Sequence, residues 1–172
     1  MKSFCWNCFQ VIESSEAPCP RCGQSQCAVP GDFCEKLLRA LNHPIGETRR
    51  RAAFLLGEKR VSKAAANLAS LVDGDCDPYV AKEAVSALAK IGSSQALHAI
   101  ERAASHRSFM VREGAVQALA AAGGRWTRLA RRIADSDLSP SVKSAAGTVT
   151  AKRGRLARRA RVGGAEKGGR SY

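Results

Sequence analysis

The feature that most constrains this chain is a repeat. Val80, Ala84, Leu88 and Gly92 return 31 residues later as Val111, Ala115, Leu119 and Gly123. They return after another 31 as Val142, Ala146, Thr150 and Gly154, and 32 residues upstream the same slots hold Thr48, Ala52, Leu56 and Arg60. Four-residue steps keep side chains on one face of a helix, so each unit opens with an amphipathic helix. Asp77, Ser108 and Ser139 stand three residues before each valine, where a helix wants a capping side chain. Pro78 and Pro140 follow as first helical residues, a position where the missing N–H is harmless. A second, shorter helix is expected over 64–71, 96–104 and 126–134. Two short helices in roughly 31 residues cannot bury their apolar faces alone, so the units must stack. Hydrophobic residues make up 45% of the chain, many of them alanine, and only 5% are aromatic. Small apolar side chains suit close helix packing rather than strands.

These residues resemble the short HEAT-like repeats first associated with phycobilisome lyases, whose pattern runs Asp-Pro-x-Val-Arg-x-x-Ala and then Leu and Gly. Here it reads Asp77-Pro78-Tyr79-Val80-Ala81-Lys82-Glu83-Ala84. The arginine slot holds Arg49, Arg112 and Lys143, but Ala81 in the second unit. The resemblance covers roughly Pro44 to Gly154. It implies a mostly α fold, a HEAT-type α-solenoid of about three and a half helical hairpins. The last unit has one helix, with Thr150 in place of leucine, which suits a capping half-repeat. Asp32 is expected to cap an extra leading helix over 33–41. For function the resemblance implies mainly a scaffold.

Ahead of the repeats lie two C-x-x-C pairs, Cys5-Trp6-Asn7-Cys8 and Cys19-Pro20-Arg21-Cys22, ten residues apart. The N-terminus shows no apolar signal segment, so the cysteines read as metal ligands rather than disulfides. A two-residue gap lets one tight turn aim two thiolates at one ion, and four thiolates complete zinc's tetrahedron. Such a closed site is structural, because no coordination position is left for water. Pro20 stiffens the second turn and Gly23 can adopt positive φ; the first turn has Phe9 in that slot. Residues 9–12 read as a short strand and 13–16 as a polar turn. The segment resembles the short zinc-ribbon family from about Phe4 to Gln24. Phe4, Trp6 and Phe9 have two readings, an exposed aromatic face or the ribbon's small core. Cys27, Cys34 and Cys76 are expected to be free thiols.

The net charge is +13 and the pI about 10.0, values that speak to partners. From Ala151 to Tyr172 eight Lys or Arg face one acid, Glu166. Lys152, Arg153, Arg155, Arg158, Arg159 and Arg161 resemble an arginine-rich arm that orders on RNA or DNA. The alternatives are an acidic protein, a membrane surface, or plain solvation; the tail lacks the long apolar residues that insertion needs. Arg125, Arg128 and Arg132 line one face of the expected last helix, bordered by Arg131, with Trp126, Leu129 and Ile133 a quarter-turn away. That stripe reads either as a phosphate-binding face or as a solvated one. Arg49-Arg50-Arg51 opens a helix against its dipole, so something beyond local stability keeps it.

Asp73, Asp75 and Asp77 imitate half a calcium loop, but Pro78 and Ala84 stand where glycine and glutamate are required. His43, His98 and His106 pair with no cysteine or carboxylate at useful spacing, and no catalytic motif is present. The expectation is therefore a non-enzymatic, cytoplasmic protein with one structural zinc ion. It divides into a ribbon (1–27), a linker (28–31), a HEAT domain (32–154) and a disordered basic tail (155–172). Its expected partner is nucleic acid, RNA or the ribosome, rather than a membrane. A protein scaffold using the concave repeat face is the alternative, and a lyase-like enzyme the third reading.

Overall fold

The computed structural model describes residues 3–13, 18–26, 29–74 and 77–147. Two strands, β1 (Ser3–Phe4) and β2 (Val11–Ile12), pair antiparallel with Ser3 opposite Ile12. Seven helices follow: α1 (Phe33–Ala40), α2 (Gly46–Glu58), α3 (Ala65–Gly74), α4 (Pro78–Ile91), α5 (Ser94–Ala103), α6 (Phe109–Ala122) and α7 (Gly124–Ser136). One 3₁₀ turn, Ser62–Ala64, leads into α3. The chain is helical again from 140 to 147.

The leading helices of successive units pack side by side, α2 on α4 and α4 on α6. The returning helices form a second layer, with α3 on α5, and each also packs on the leading layer. This is the stack the repeat predicts. Each repeat valine, alanine and leucine sits where its period places it: Val80, Ala84, Leu88, Val111, Ala115, Leu119, Val142 and Ala146 are all buried. The core between the layers contains no buried polar or charged residue among those described. Burying each leucine fully is worth about 2 kcal/mol, so the repeat positions supply much of the driving force. Alanines let the backbones approach closely. At Gly57 the approach is closest: a Cβ there would stand 2.6 Å from Ala87 Cα.

Caps set the helix limits. Asp32 closes a full capping box with Glu35 at the start of α1. Asp77 accepts from Tyr79 N–H at 2.9 Å, and Ser93 from Ala96 N–H at 3.2 Å. Ser108 holds the capping position of α6 without a side-chain bond, which departs from the expected cap. Gly92 ends α4 with φ 66° and Gly123 ends α6 with φ 88°. Arg60 fills the equivalent slot of the first unit, and its backbone is left-handed too, at φ 49°. The unit's geometry thus imposes a positive φ even on a residue that resists it. The returning helices start or end a few residues away from the expected 64–71, 96–104 and 126–134. A 3₁₀ turn, a serine cap and a glycine set their actual beginnings.

The loops between units share a construction. His43 Nδ1 accepts from Ile45 N–H at 3.1 Å, and His106 Nδ1 accepts from Ser108 N–H at 3.0 Å. Asp137 Oδ1 accepts from Ser139 N–H at 2.8 Å in the same register. A repeat arginine then clamps the loop from the next helix. Arg49 donates to the carbonyls of His43 and Pro44, and Arg112 to those of His106 and Arg107. Arg112 also forks onto Asp137 of the following unit at 2.7 and 3.1 Å. Arg50 pairs with Glu47. Bracing of the loop therefore explains Arg49 and local pairing explains Arg50, despite the unfavourable dipole.

Candidate metal centre and basic helix face

Two turns of nearly equal geometry bring the four cysteines together. Cys5 N–H donates to Gln10 O at 2.9 Å and Phe9 N–H to Cys5 O at 3.0 Å. In the second turn Cys19 N–H donates to Gln24 O at 2.9 Å and Gly23 N–H to Cys19 O at 2.8 Å. Gly23 is left-handed at φ 70°, and Phe9 is left-handed at φ 56°. The first turn thus adopts the glycine-type conformation without glycine, at a cost of about 1 kcal/mol.

Cys5, Cys8, Cys19 and Cys22 offer sulfurs that all lie within 4.8 Å of one another. Cys5 Sγ is 3.7 Å from Cys22 Sγ, and Cys8 Sγ is 3.6 Å from Cys19 Sγ. A zinc–thiolate bond of about 2.3 Å makes a tetrahedron with edges of about 3.8 Å. The donor set and its spacing therefore fit a tetrahedral metal ion. Asn7 N–H points at Cys5 Sγ from 3.4 Å, the kind of backbone donor that stabilises a thiolate. Burial by itself pushes the Cys5 thiol up, but the N–H groups of Cys8 and Asn7 and the neighbouring thiols bring it down to about 6. The Gln10 N–H lowers Cys8, yet burial and the surrounding thiols together push it up to about 11. The ribbon's own core is Cys5, Ile12 and Cys19, flanked by Cys8 and Cys22. So small a core cannot hold a fold by apolar burial alone.

The three aromatic residues lie outside the ribbon's buried core, with Phe4 exposed and Trp6 and Phe9 half-buried. Phe4 and Phe9 set their rings edge-on to His43, with centroids 4.9 and 5.1 Å apart. Arg39 of α1 lies 5.3 Å from the Trp6 ring centre. Trp6 Nε1–H also donates to Ser25 O at 2.7 Å. The aromatics form a seam between the ribbon and the first repeat. No spacing in the sequence signals this seam, because its partners lie some 35 residues away.

Arg125, Arg128, Arg131 and Arg132 all face solvent on α7. Ala130 and Ala134 are buried on its other side, with Trp126, Leu129 and Ile133 half-buried against the core. Arg125 stacks 4.3 Å from the Trp126 ring centre, and Trp126 meets His98 edge-on at 5.3 Å. His98 pairs with Glu101 at 3.3 Å. Arg128, Arg131 and Arg132 form no ion pair with a carboxylate among the described residues. The expected contacts of Lys152, Arg153, Arg155, Arg158, Arg159 and Arg161 lie outside the described residues, as do Cys27, Cys76 and Gly154. Cys34 is half-buried on α1 and free. A groove of about 720 Å³ opens beside the first loop, lined by Leu41, Asn42, His43, Asn67, Ser70 and Leu71 among others. Among the described residues no helix is long and apolar enough to cross a membrane.

A layered stack of helical hairpins with a clamped loop between units defines a helical-repeat protein. The chain matches the family of HEAT repeats over residues 34–120 and again over 67–151, well over half its length, and it belongs to that family. A comparison with curated proteins finds no match.

Proposed function

We propose that this HEAT-repeat protein is a non-enzymatic adaptor that binds RNA or a ribonucleoprotein such as the ribosome. The carrying observation is the row of arginines on α7, of which Arg128, Arg131 and Arg132 face water and form no ion pair among the described residues. Arginine's fork grips two phosphate oxygens and keeps its charge. Contacts of this kind position a protein on a polyanion without reading sequence. The tail arginines, Arg153 to Arg161, extend the same charge. The metal held by Cys5, Cys8, Cys19 and Cys22 is zinc in this reading; its chemistry is structural, closing the ribbon so that its aromatics are presented to the first repeat. The place of action is the cytoplasm.

The test is a salt titration of binding to total cellular RNA. Each phosphate contact to a single strand contributes about 0.7 to the slope of log affinity on log salt. Replacing Arg125, Arg128 and Arg132 by Gln should flatten that slope by about 2. Ending the chain at Gly154 should flatten it further. Absence of low-salt binding, or a slope that neither change moves, refutes the reading. The second reading, a protein scaffold, is favoured by the groove beside the first loop and by the HEAT fold itself. It predicts binding that high salt leaves largely intact.

A further inference from the structure

Nine large apolar side chains are exposed among the described residues, and four of them stand near the start of a leading helix, one in each unit though at different positions of the repeat. Ile45 occupies the capping position of α2, Tyr79 the second residue of α4, and Phe109 the first residue of α6. Leu138 stands two residues ahead of the helix that begins at 140. Their exposures are 47%, 60%, 49% and 94%. Scattered single apolar residues need no explanation, but a contiguous apolar line does. The leading helices run parallel, because each is separated from the next by one returning helix. All four residues therefore sit at the same end of the leading helices, one rung per unit. The two central residues, Tyr79 and Phe109, are of the aromatic kind enriched at protein interfaces.

Charge along this edge is unbalanced. Of its acids, Glu47 is paired with Arg50 and Asp137 with Arg112, while Asp77 accepts from the N–H of Tyr79 and Glu113 from the Gln117 amide. Lys82, Arg107 and Lys143 flank the rungs, face solvent, and bond to no carboxylate among the described residues. A partner for this edge must bring apolar side chains with acids beside them.

Spacing selects its backbone. Neighbouring packed helices lie about 8–10 Å apart, so the rungs repeat at that distance. An α-helix brings the same face round every seven residues, a rise of about 10.5 Å. A strand presents one face at about 6.7 or 13 Å, which misses the rungs. We propose that the Ile45–Tyr79–Phe109–Leu138 edge is a docking surface for an acidic amphipathic helix. Apolar residues at heptad spacing lie on the rungs, and Asp or Glu residues meet Lys82, Arg107 and Lys143. Three steps between four rungs span about 30 Å, or about 20 residues of helix.

The probe is a fluorescent 21-residue peptide with Leu at heptad and fourth positions and Glu beside them, titrated against the full zinc-loaded chain by anisotropy. A peptide with Lys for every Glu, and a scrambled one, serve as comparisons. The acidic peptide should bind and the other two should not. The double variant Tyr79→Ala, Phe109→Ala should weaken binding about tenfold, while its thermal unfolding stays that of the parent, since both side chains are exposed. Arg125→Gln, Arg128→Gln and Arg132→Gln together should leave the peptide's affinity unchanged, which separates this surface from the proposed RNA face. Equal binding of the Lys peptide, or unchanged affinity in the double variant, overturns the proposal. So does loss of RNA binding in the double variant with no loss of peptide, which makes the edge a stacking platform for bases.

Discussion

Changing Gly57 to Ala tests how tightly the leading helices are locked. In an isolated helix the change is favourable by about 1 kcal/mol, because glycine wastes backbone freedom. Here the new Cβ would stand 2.6 Å from Ala87 Cα and 2.8 Å from Ala87 Cβ, against about 3.4–4 Å for ordinary contact. Backbone cannot swing aside as a flexible side chain can, so α2 and α4 must part by about 1 Å. Overpacking of this kind costs about 1–3 kcal/mol, and a gap of that size forfeits a quarter to a half of each displaced contact. The buried faces of both helices share the loss, which puts the cost at the upper part of that range. The net expectation is a loss of about 1–2 kcal/mol. Gly114 supplies the control on α6. A Cβ there meets only Lys82 Cγ at 3.7 Å and Val85 Cγ1 at 3.9 Å, so Gly114→Ala should stabilise by about 0.5–1 kcal/mol. Urea unfolding followed by circular dichroism should move the two midpoints in opposite directions at unchanged slope. A Gly57→Ala protein as stable as its parent would refute the close-packing argument, whatever Gly114 does.

Three further outcomes are expected. Purified protein should carry about one zinc per chain by metal analysis, and Cys19→Ser should lose it; full retention removes Cys19 from the ligand set. Arg112→Ala strips two loop carbonyls of their donor and leaves the Asp137 carboxylate, 7% exposed, without its guanidinium, so it should cost about 2–4 kcal/mol in chemical unfolding. His106 is held below the ordinary histidine range, first by burial and then by the Arg107 charge, so it is neutral in the folded state at pH 7. A depressed histidine contributes stability above its unfolded value of about 6.5 and loses it as pH falls through the folded value. His106→Asn preserves an acceptor for Ser108 N–H but cannot be protonated, so it should flatten the stability slope below about pH 6.5.

Much of the fold was legible because repetition is redundant. Val80, Val111 and Val142 each vote for the same burial, and a weak vote such as Thr48 is outweighed. The cluster of four cysteines was legible for a similar reason, since Cys19-Pro20-Arg21-Cys22 with Gly23 displays the whole turn and Cys5 to Cys8 then needs only to match it. The loop clamp was not. His43, His106 and Asp137 are different residue types in one structural slot, each accepting the N–H two residues on, and no search for identical residues would align them. Two of the three histidines that offered no catalytic pairing are accounted for in this way. The seam between ribbon and stack was also invisible, since Phe4 and Phe9 meet His43 across the gap between two independently patterned segments.

Arg60 and Phe9 show the direction in which information flows in this molecule. Each occupies a slot where the matching unit has glycine, and each is held at positive φ regardless. A lone turn would relax by leaving the left-handed region, at a gain of about 1–2 kcal/mol. These cannot, because Arg60 follows a helix packed along α4, and Phe9 must keep Cys5 and Cys8 aimed at one point. The strain is therefore paired with an imposed geometry in both places, a helix stop in one and a ligand turn in the other. Phe9 gains a further use from its side chain, since glycine there would relieve the backbone and remove one of the two rings that hold His43. That choice ties the ribbon to the first loop, and through Arg49 to the first leading helix, so that gathering the four cysteines and bracing the end of the stack become parts of one arrangement.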